Sequence, residues 1–245
     1  REASEARMRQ FVADASHELR TPLATVQGYA ELHRQGALAT TEQADAAMER
    51  IEGESKRMTG LVEDLLVLAR LDDEPVDMQG EVDLTVLAAD AVADARVRAP
   101  ERTIRLVGRD GPLVPTVVHG SDSRLRQVLT NVLANALAHT PEGSPVEVRL
   151  GQVEDGDGGA AVVEVIDHGP GIPESERRRV FERFVRFDPS RSRGTGGGSG
   201  LGLSIVAAIV AAHRGRVGIG ETPGGGATFI VRIPTGISQP APIGR

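Results

Sequence analysis

Two segments of this chain repeat apolar residues at helical spacing for far longer than a single globular helix needs. In the first, Met8, Val12, Ala15, Leu19, Leu23, Val26 and Ala30 recur three or four apart, as on one face of a helix. The spacing predicts a helix from about Ser4 to Gln35, stopped by Gly36 as a left-handed C′ residue. A short link, Gly36 to Thr40, leads into Thr40-Thr41-Glu42-Gln43, a capping box with Thr40 as N-cap and Gln43 reaching back. In the second segment Met48, Ile51, Ser55, Met58, Val62, Leu65 and Ala69 alternate in steps of three and four, a sustained heptad seam. Two long amphipathic helices with a tight link make an antiparallel hairpin. One hairpin cannot bury both seams, so a symmetric dimer forming a four-helix bundle is expected. The alternative is a bundle completed within one chain, but no third comparable heptad segment is present.

One histidine lies off the first seam. At about 100° per residue, His17 is roughly 160° from both Ala15 and Leu19. Thr21, four residues on, shares its face. Glu18 follows directly, close enough to take a proton from the imidazole or hold its tautomer. Pro22 removes a helical hydrogen bond to Glu18 and should bend the helix there. On its own the face also reads as a solvated histidine among charges.

Composition narrows the classes. The 245 residues suffice for one large or two small domains. With 40% hydrophobic residues but one Tyr, five Phe and no Trp, the core must be aliphatic. A net charge of −7 argues against a nucleic-acid binder, which usually carries a basic face. Without cysteine there are no disulfides and no thiolate metal sites. No run approaches the roughly 20 apolar residues that span a bilayer, and no signal peptide opens the chain, so no direct membrane contact is expected from this part. The start at Arg1-Glu2-Ala3, without an initiator Met, suggests a fragment.

After the second helix the pattern breaks. Leu71 to Gly80 brings acid, Pro75 and Gly80 and reads as a linker. Beyond Glu81 helix and strand mix: a helix over Leu84 to Ala99, short strands over Thr103 to Val107 and Thr116 to His119, then a helix capped by Ser121 and running to about Thr140. Strands follow over Val146 to Val153 and Ala160 to Ile166, joined by a turn-rich Glu154 to Gly159. A last helix over Leu201 to Ala212 precedes a hairpin of Arg216 to Glu221 and Ala227 to Ile233.

Three motifs in this second half carry chemistry. Asn131 and Asn135 sit four apart on one helix face, where two amides can hold a hydrated Mg²⁺ or phosphate oxygens. Asp167-His168-Gly169-Pro170-Gly171 follows an apolar strand, placing a carboxylate where it can accept from an exocyclic amine, with glycines that let backbone pass under a flat ring. Gly194 to Gly202, GTGGGSGLG, is a glycine loop running into a helix, whose N-terminal N–H groups favour phosphate oxygens. It is neither a Walker A loop nor a dinucleotide fingerprint.

Phe11 to Leu23, FVADASHELRTPL, resembles the phosphoacceptor motif of sensor histidine kinases of bacterial two-component systems. The three later motifs resemble, in order and spacing, the N, G1 and G2 boxes of their catalytic ATP-binding domain, the Bergerat fold shared with gyrase, MutL and Hsp90. Phe181 to Phe187, FERFVRF, resembles the F box that anchors the ATP lid. The resemblance spans Arg9 to Pro234. It implies an α+β multidomain architecture: a dimeric four-helix bundle followed by a Bergerat α/β sandwich, a mixed sheet against three helices. The expected division is a dimerisation and phosphotransfer hairpin over 1–72, a linker over 73–80, an ATP-binding domain over 81–236 and a tail over 237–245.

The same resemblance implies ATP and Mg²⁺ as cofactors, and a response regulator receiver domain as partner of the homodimer. It gives His17 as phosphoacceptor, Glu18 as base, and Thr21 as the residue that positions water when the enzyme dephosphorylates its regulator. Asn135 is the implied Mg²⁺ ligand, with Asn131 near the phosphates. Asp167 binds adenine, helped through water by Thr228, and Gly169 and Gly171 line the base. Gly198, Gly200, Leu201, Gly202 and Leu203 cradle the phosphates, and Arg191 or Arg193 reaches the γ-phosphate from the lid. The implied location is the cytoplasmic portion of a protein anchored in the inner or plasma membrane. One departure stands out: Ala138-His139 replaces the usual basic residue and its aromatic or His neighbour, which removes a phosphate contact. His139 or an arginine from elsewhere could compensate, or His139 could be a core histidine. Two rivals follow, a phosphatase-dominant enzyme and a non-catalytic dimeric scaffold. A gyrase-like ATPase has no use for the H-E-x-x-T-P helix.

Overall fold

The computed structural model describes residues 2–73, 78, 80–155, 158–185 and 199–236. Most of the linker and the whole of the tail at 237–245 lie outside the described residues. The chain divides into two compact units, Arg1–Ala69 with Arg183–Leu201, and Arg70–Glu182 with Gly202–Arg245.

In the first unit, α1 (Glu2–Arg34) and α2 (Thr41–Asp73) form a helical hairpin. The stop is a Schellman motif: Gly36 has φ +71°, its N–H donates to His33, and that of Ala37 donates to Leu32, both at 3.0 Å. The start of α2 is the expected capping box. Gln43 N–H donates to Thr40 Oγ1 at 3.2 Å, while Gln43 Oε1 accepts from Ala39 and Thr40 N–H at 2.9 and 3.3 Å. α1 runs unbroken through Pro22, which is buried.

The seam of α2 differs from the expected one. Its buried line is Ala47, Leu61 and Leu68 on a heptad step, flanked by half-buried Ile51, Met58 and Leu65. Ser55 is exposed, and Met48 and Val62 remain 47% and 44% exposed. The apolar positions of α2 therefore form two adjacent lines. Only one turns inward within a single hairpin; the other lies open beside Leu66, as do Val12 and Leu23 on α1.

The second unit opens with β1 (Glu81–Asp83), a strand the sequence reading passed over, which pairs with β3 (Val117–His119) in a two-stranded sheet. The main sheet has the order β2-β4-β5-β7-β6, formed by β2 (Ile104–Gly108), β4 (Val146–Asp155), β5 (Gly158–Ile166), β6 (Arg216–Glu221) and β7 (Ala227–Pro234). β2 runs parallel to β4 and the other pairs are antiparallel, so the sheet is mixed as expected. Three helices, α3 (Leu84–Arg98), α4 (Asp122–His139) and α5 (Gly202–Ala212), supply Leu87, Val92, Leu129, Val132, Ile205 and Ile209 to an aliphatic core. Phe229 is its only fully buried aromatic among the described residues. The strands β4 and β5 extend further into the Glu154 to Gly159 turn than expected, because the antiparallel ladder continues to Asp155 opposite Gly158.

Ser121 occupies the N-cap of α4, but its hydroxyl caps no backbone N–H. It faces Ser123 Oγ at 3.3 Å, while the Ser121 N–H donates to Nε2 of His213 at 3.1 Å. His213 is 1% exposed and its Nδ1 donates to Ile209 O at 2.8 Å. One neutral tautomer meets both bonds, and burial holds the imidazole below the ordinary histidine pKa. The unfolded chain therefore binds the proton more readily. The stability from this group is complete above about pH 6.5 and is lost progressively as pH falls below it. Denaturation midpoints between pH 8 and 5 should decline on the acid side in the wild type, and less steeply in His213→Gln.

Candidate nucleotide and phosphoacceptor sites

In the helical unit His17 and Thr21 are both exposed on α1. Glu18 is half-buried and turned toward α2, where Oε2 lies 3.7 Å from the Arg57 guanidinium. Ser16 Oγ bonds back to Val12 O at 2.7 Å, leaving the imidazole of His17 to project from a regular helix. Ser199, from the end of the glycine loop, donates to Asp64 Oδ2 on α2 at 2.8 Å and accepts from Leu201 N–H at 3.2 Å. Burial raises the Asp64 pKa. No sequence signal pointed to Asp64.

In the second unit α4 carries Asn131 and Asn135 beside its buried stripe of Val128, Val132 and Ala136. Asn131 Nδ2 donates to the carbonyl of Gly202 at 3.2 Å, tying α4 to the first residue of α5. Asn135, one turn further, is half-exposed.

Asp167 stands just past the end of β5 and is 5% exposed. Its Oδ1 accepts from Gly169 N–H at 2.9 Å and Ala227 N–H at 3.1 Å, and its own N–H donates to Ala227 O at 2.9 Å. Those bonds fix the carboxylate. Gly169 is pressed against the end of α4: a Cβ there would lie 3.0 Å from His139 O. Gly171 has φ +73°, and a Cβ would meet Gly226 O at 3.1 Å. The tightest approach is Gly226, at φ +116°, where a Cβ would fall 2.0 Å from Asp167 O. Thr228 Oγ1 lies 3.0 Å from the hydroxyl of buried Thr222. The residues expected around the base are thus brought together at one end of the sheet. Gly226 and Thr222 were missed; the run Gly224-Gly225-Gly226 was the available signal.

The glycine-loop residues are described only from Ser199 on. Gly200 has φ +72° and accepts from Phe184 N–H at 3.1 Å, Leu201 is fully buried, and Leu203 is half-buried. Gly198, Arg191 and Arg193, and Phe187 of the F-box stretch, lie outside the described residues. Ala138 and His139 are both exposed, so the core reading of His139 is set aside. Arg102 does not take over the missing cation, because its guanidinium is spent on the hydroxyl and carbonyl of Thr140.

These residues fit a magnesium nucleotide. No cluster of three His, Asp or Glu side chains that could cage a metal occurs among the described residues. A Mg²⁺ here would rely on phosphate oxygens, water and the single Asn135 amide, the usual economy of this hard cation. Gly169, Gly171 and Gly226 let three backbone segments close tightly around a carboxylate that is fixed by backbone N–H groups.

Comparison with known proteins follows the same division. Residues 7–74 match the family model described as the His Kinase A (phospho-acceptor) domain. Residues 120–237 match the Histidine kinase-, DNA gyrase B-, and HSP90-like ATPase. The chain is similar to the probable sensor histidine kinase TcrY of Mycobacterium tuberculosis, 48% identical over 241 residues, which cover 98% of this chain and 48% of that protein. Among solved structures it is similar to the mycobacterial sensor histidine kinase MprB, at 32% identity and TM-score 0.54, over 64% of this chain and 97% of that one. Full-length ShkA in complex with AMPPNP is 31% identical with TM-score 0.65, over 95% of this chain and 47% of that one. The chain spans about half the length of the curated relatives it matches.

Proposed function

Because this chain belongs to the sensor histidine kinases of bacterial two-component systems, we propose that it moves the γ-phosphoryl group of ATP to His17 and then to an aspartate of a response regulator receiver domain. One imidazole nitrogen of His17 attacks the γ-phosphorus, the bond to the bridging oxygen breaks, and ADP leaves with the electron pair. The proton on the other ring nitrogen passes to Glu18. Such a transfer needs chiefly positioning and charge neutralisation.

Asp167 has given Oδ1 to two backbone N–H groups, which leaves Oδ2 for the adenine amine. Thr228 assists through water, and Gly169 and Gly171 lie along the ring. Gly198, Gly200, Leu201, Gly202 and Leu203 cradle the phosphates, Asn131 stands near them, and Arg191 or Arg193 meets the γ-phosphate. Asn135 would hold Mg²⁺, which would supply charge neutralisation to the phosphates. Thr21 positions water for dephosphorylation of the regulator.

We assign residues 1–72 to dimerisation and phosphotransfer, 73–80 to a linker and 81–236 to ATP binding. The open apolar line of Met48, Val62 and Leu66, with Val12 and Leu23, is the surface on which a second copy completes the bundle. No helix of the described residues is long and apolar enough to cross a membrane; we place them on the cytoplasmic side of a membrane-anchored parent.

The observation that carries this reading is one chain holding both an exposed His17 with Glu18 beside it and a buried Asp167 carboxylate fixed by the N–H groups of Gly169 and Ala227. Its test is Asn135→Ala. Autophosphorylation should be lost and should no longer respond to Mg²⁺, while the protein stays folded; retained Mg²⁺-dependent activity would remove Asn135 from the site. Exposed Ala138 favours a second reading, a phosphatase-dominant enzyme, in which wild type labels weakly and Ala138→Arg labels more.

A further inference from the structure

Arg57 on α2 sits between two carboxylates. Its NH2 is 3.7 Å from Glu18 Oε2 across the hairpin, and its NH1 is 3.6 Å from Glu54 Oε2 one turn back on its own helix. The three side chains are only 25–30% exposed. Both distances are those of ion pairs without hydrogen bonds, and Glu54 Oε2 is buried without a hydrogen-bond partner.

Glu54 occupies a core heptad position, in line with buried Ala47, Leu61 and Leu68. A leucine there would pack against the same neighbours without the desolvation cost of a carboxylate, so stability does not explain the residue. A guanidinium anchored by such a carboxylate would, however, be held at a fixed height on α2, and the height reached is that of Glu18. Among the described residues, the cation paired with Glu18 comes from α2 and not from α1. We propose that Arg57, anchored by Glu54, is the positioning residue for Glu18: it sets where the carboxylate stands when His17 gives up its proton. The inference rests on Glu18 being the base.

The test compares autophosphorylation rates and ATP dependence in a cycle of variants of the whole chain. Arg57→Gln alone strands Glu54 without its cation, so the change is made in a Glu54→Gln background that removes this folding penalty. Relative to Glu54→Gln, adding Arg57→Gln should lower kcat by about tenfold or more, part of the roughly 10²–10⁴-fold that a well-placed general base supplies, with KM for ATP unchanged. Arg57→Lys should recover most of the loss. With Glu18→Gln also present, Arg57→Gln should cost nothing further. An equal loss with Glu18 and with Gln at that position would make Arg57 merely structural and overturn the proposal, as would an unchanged kcat. Full activity in Glu18→Gln, with His17→Gln inactive, would remove the base assignment and the Arg57 proposal with it, while leaving the kinase reading intact.

Discussion

Gly226→Ala is expected to weaken nucleotide binding by about a hundredfold or more while leaving the helical hairpin folded. The residue holds φ +116°, a conformation costing an L-amino acid of the order of 1–3 kcal/mol. Strain is the smaller part. The new methyl would lie 2.0 Å from Asp167 O and 2.8 Å from His168 Cα, both backbone atoms that cannot rotate away. Either the β6–β7 turn or the segment after β5 must move. Either movement breaks the pairs between Asp167 and Ala227, each buried bond lost costing about 1–3 kcal/mol. Asp167 then loses the support that aims its free oxygen. Titration with a fluorescent ATP analogue should show affinity reduced by about a hundredfold or more, the equivalent of roughly 3 kcal/mol. Gly224→Ala is the control: it has φ +87° but open space around a Cβ, so it should show only a mild effect. Equal losses in both variants would mean that turn strain, not the contact with Asp167, governs the site.

His17→Gln is expected to have the opposite profile. The imidazole is exposed on a regular helix, so its removal should alter stability within about 0.5 kcal/mol. ATP binding should match wild type, and phosphorylation of the protein should disappear entirely. Label persisting on the variant would place the phosphoacceptor elsewhere.

Where local chemistry decided the outcome, the sequence was readable. Thr40 and Gln43 form their reciprocal cap, and Gly36 stops α1 in the left-handed region, because both depend on residues within one turn. The ranges of α4 and of the strands β4 to β7 were legible from their own residues as well. What escaped depended on partners distant in the chain. Ser121 looks like a cap, yet the acceptor at that helix start is His213, 92 residues on. The α2 seam was read one line away from the buried one, since two adjacent apolar lines share the heptad spacing and only tertiary packing selects between them. Asp167 was recognisable by its glycines, but not the clamp that fixes it, because Ala227 reaches it from 60 residues downstream through a turn. Nothing in the sequence singled out Arg57 and Glu54, because their pairing with Glu18 exists only once α1 lies beside α2.

Phosphate from ATP is expected to rest on a ring nitrogen of His17. The most direct measurement is incubation with γ-labelled ATP and Mg²⁺, followed by acid and alkali treatment of the labelled protein and mapping of the labelled peptide. The label should be stable in alkali, labile in acid and confined to the peptide carrying His17. An acid-stable label, or none from protein that still binds ATP, would contradict the assignment to His17.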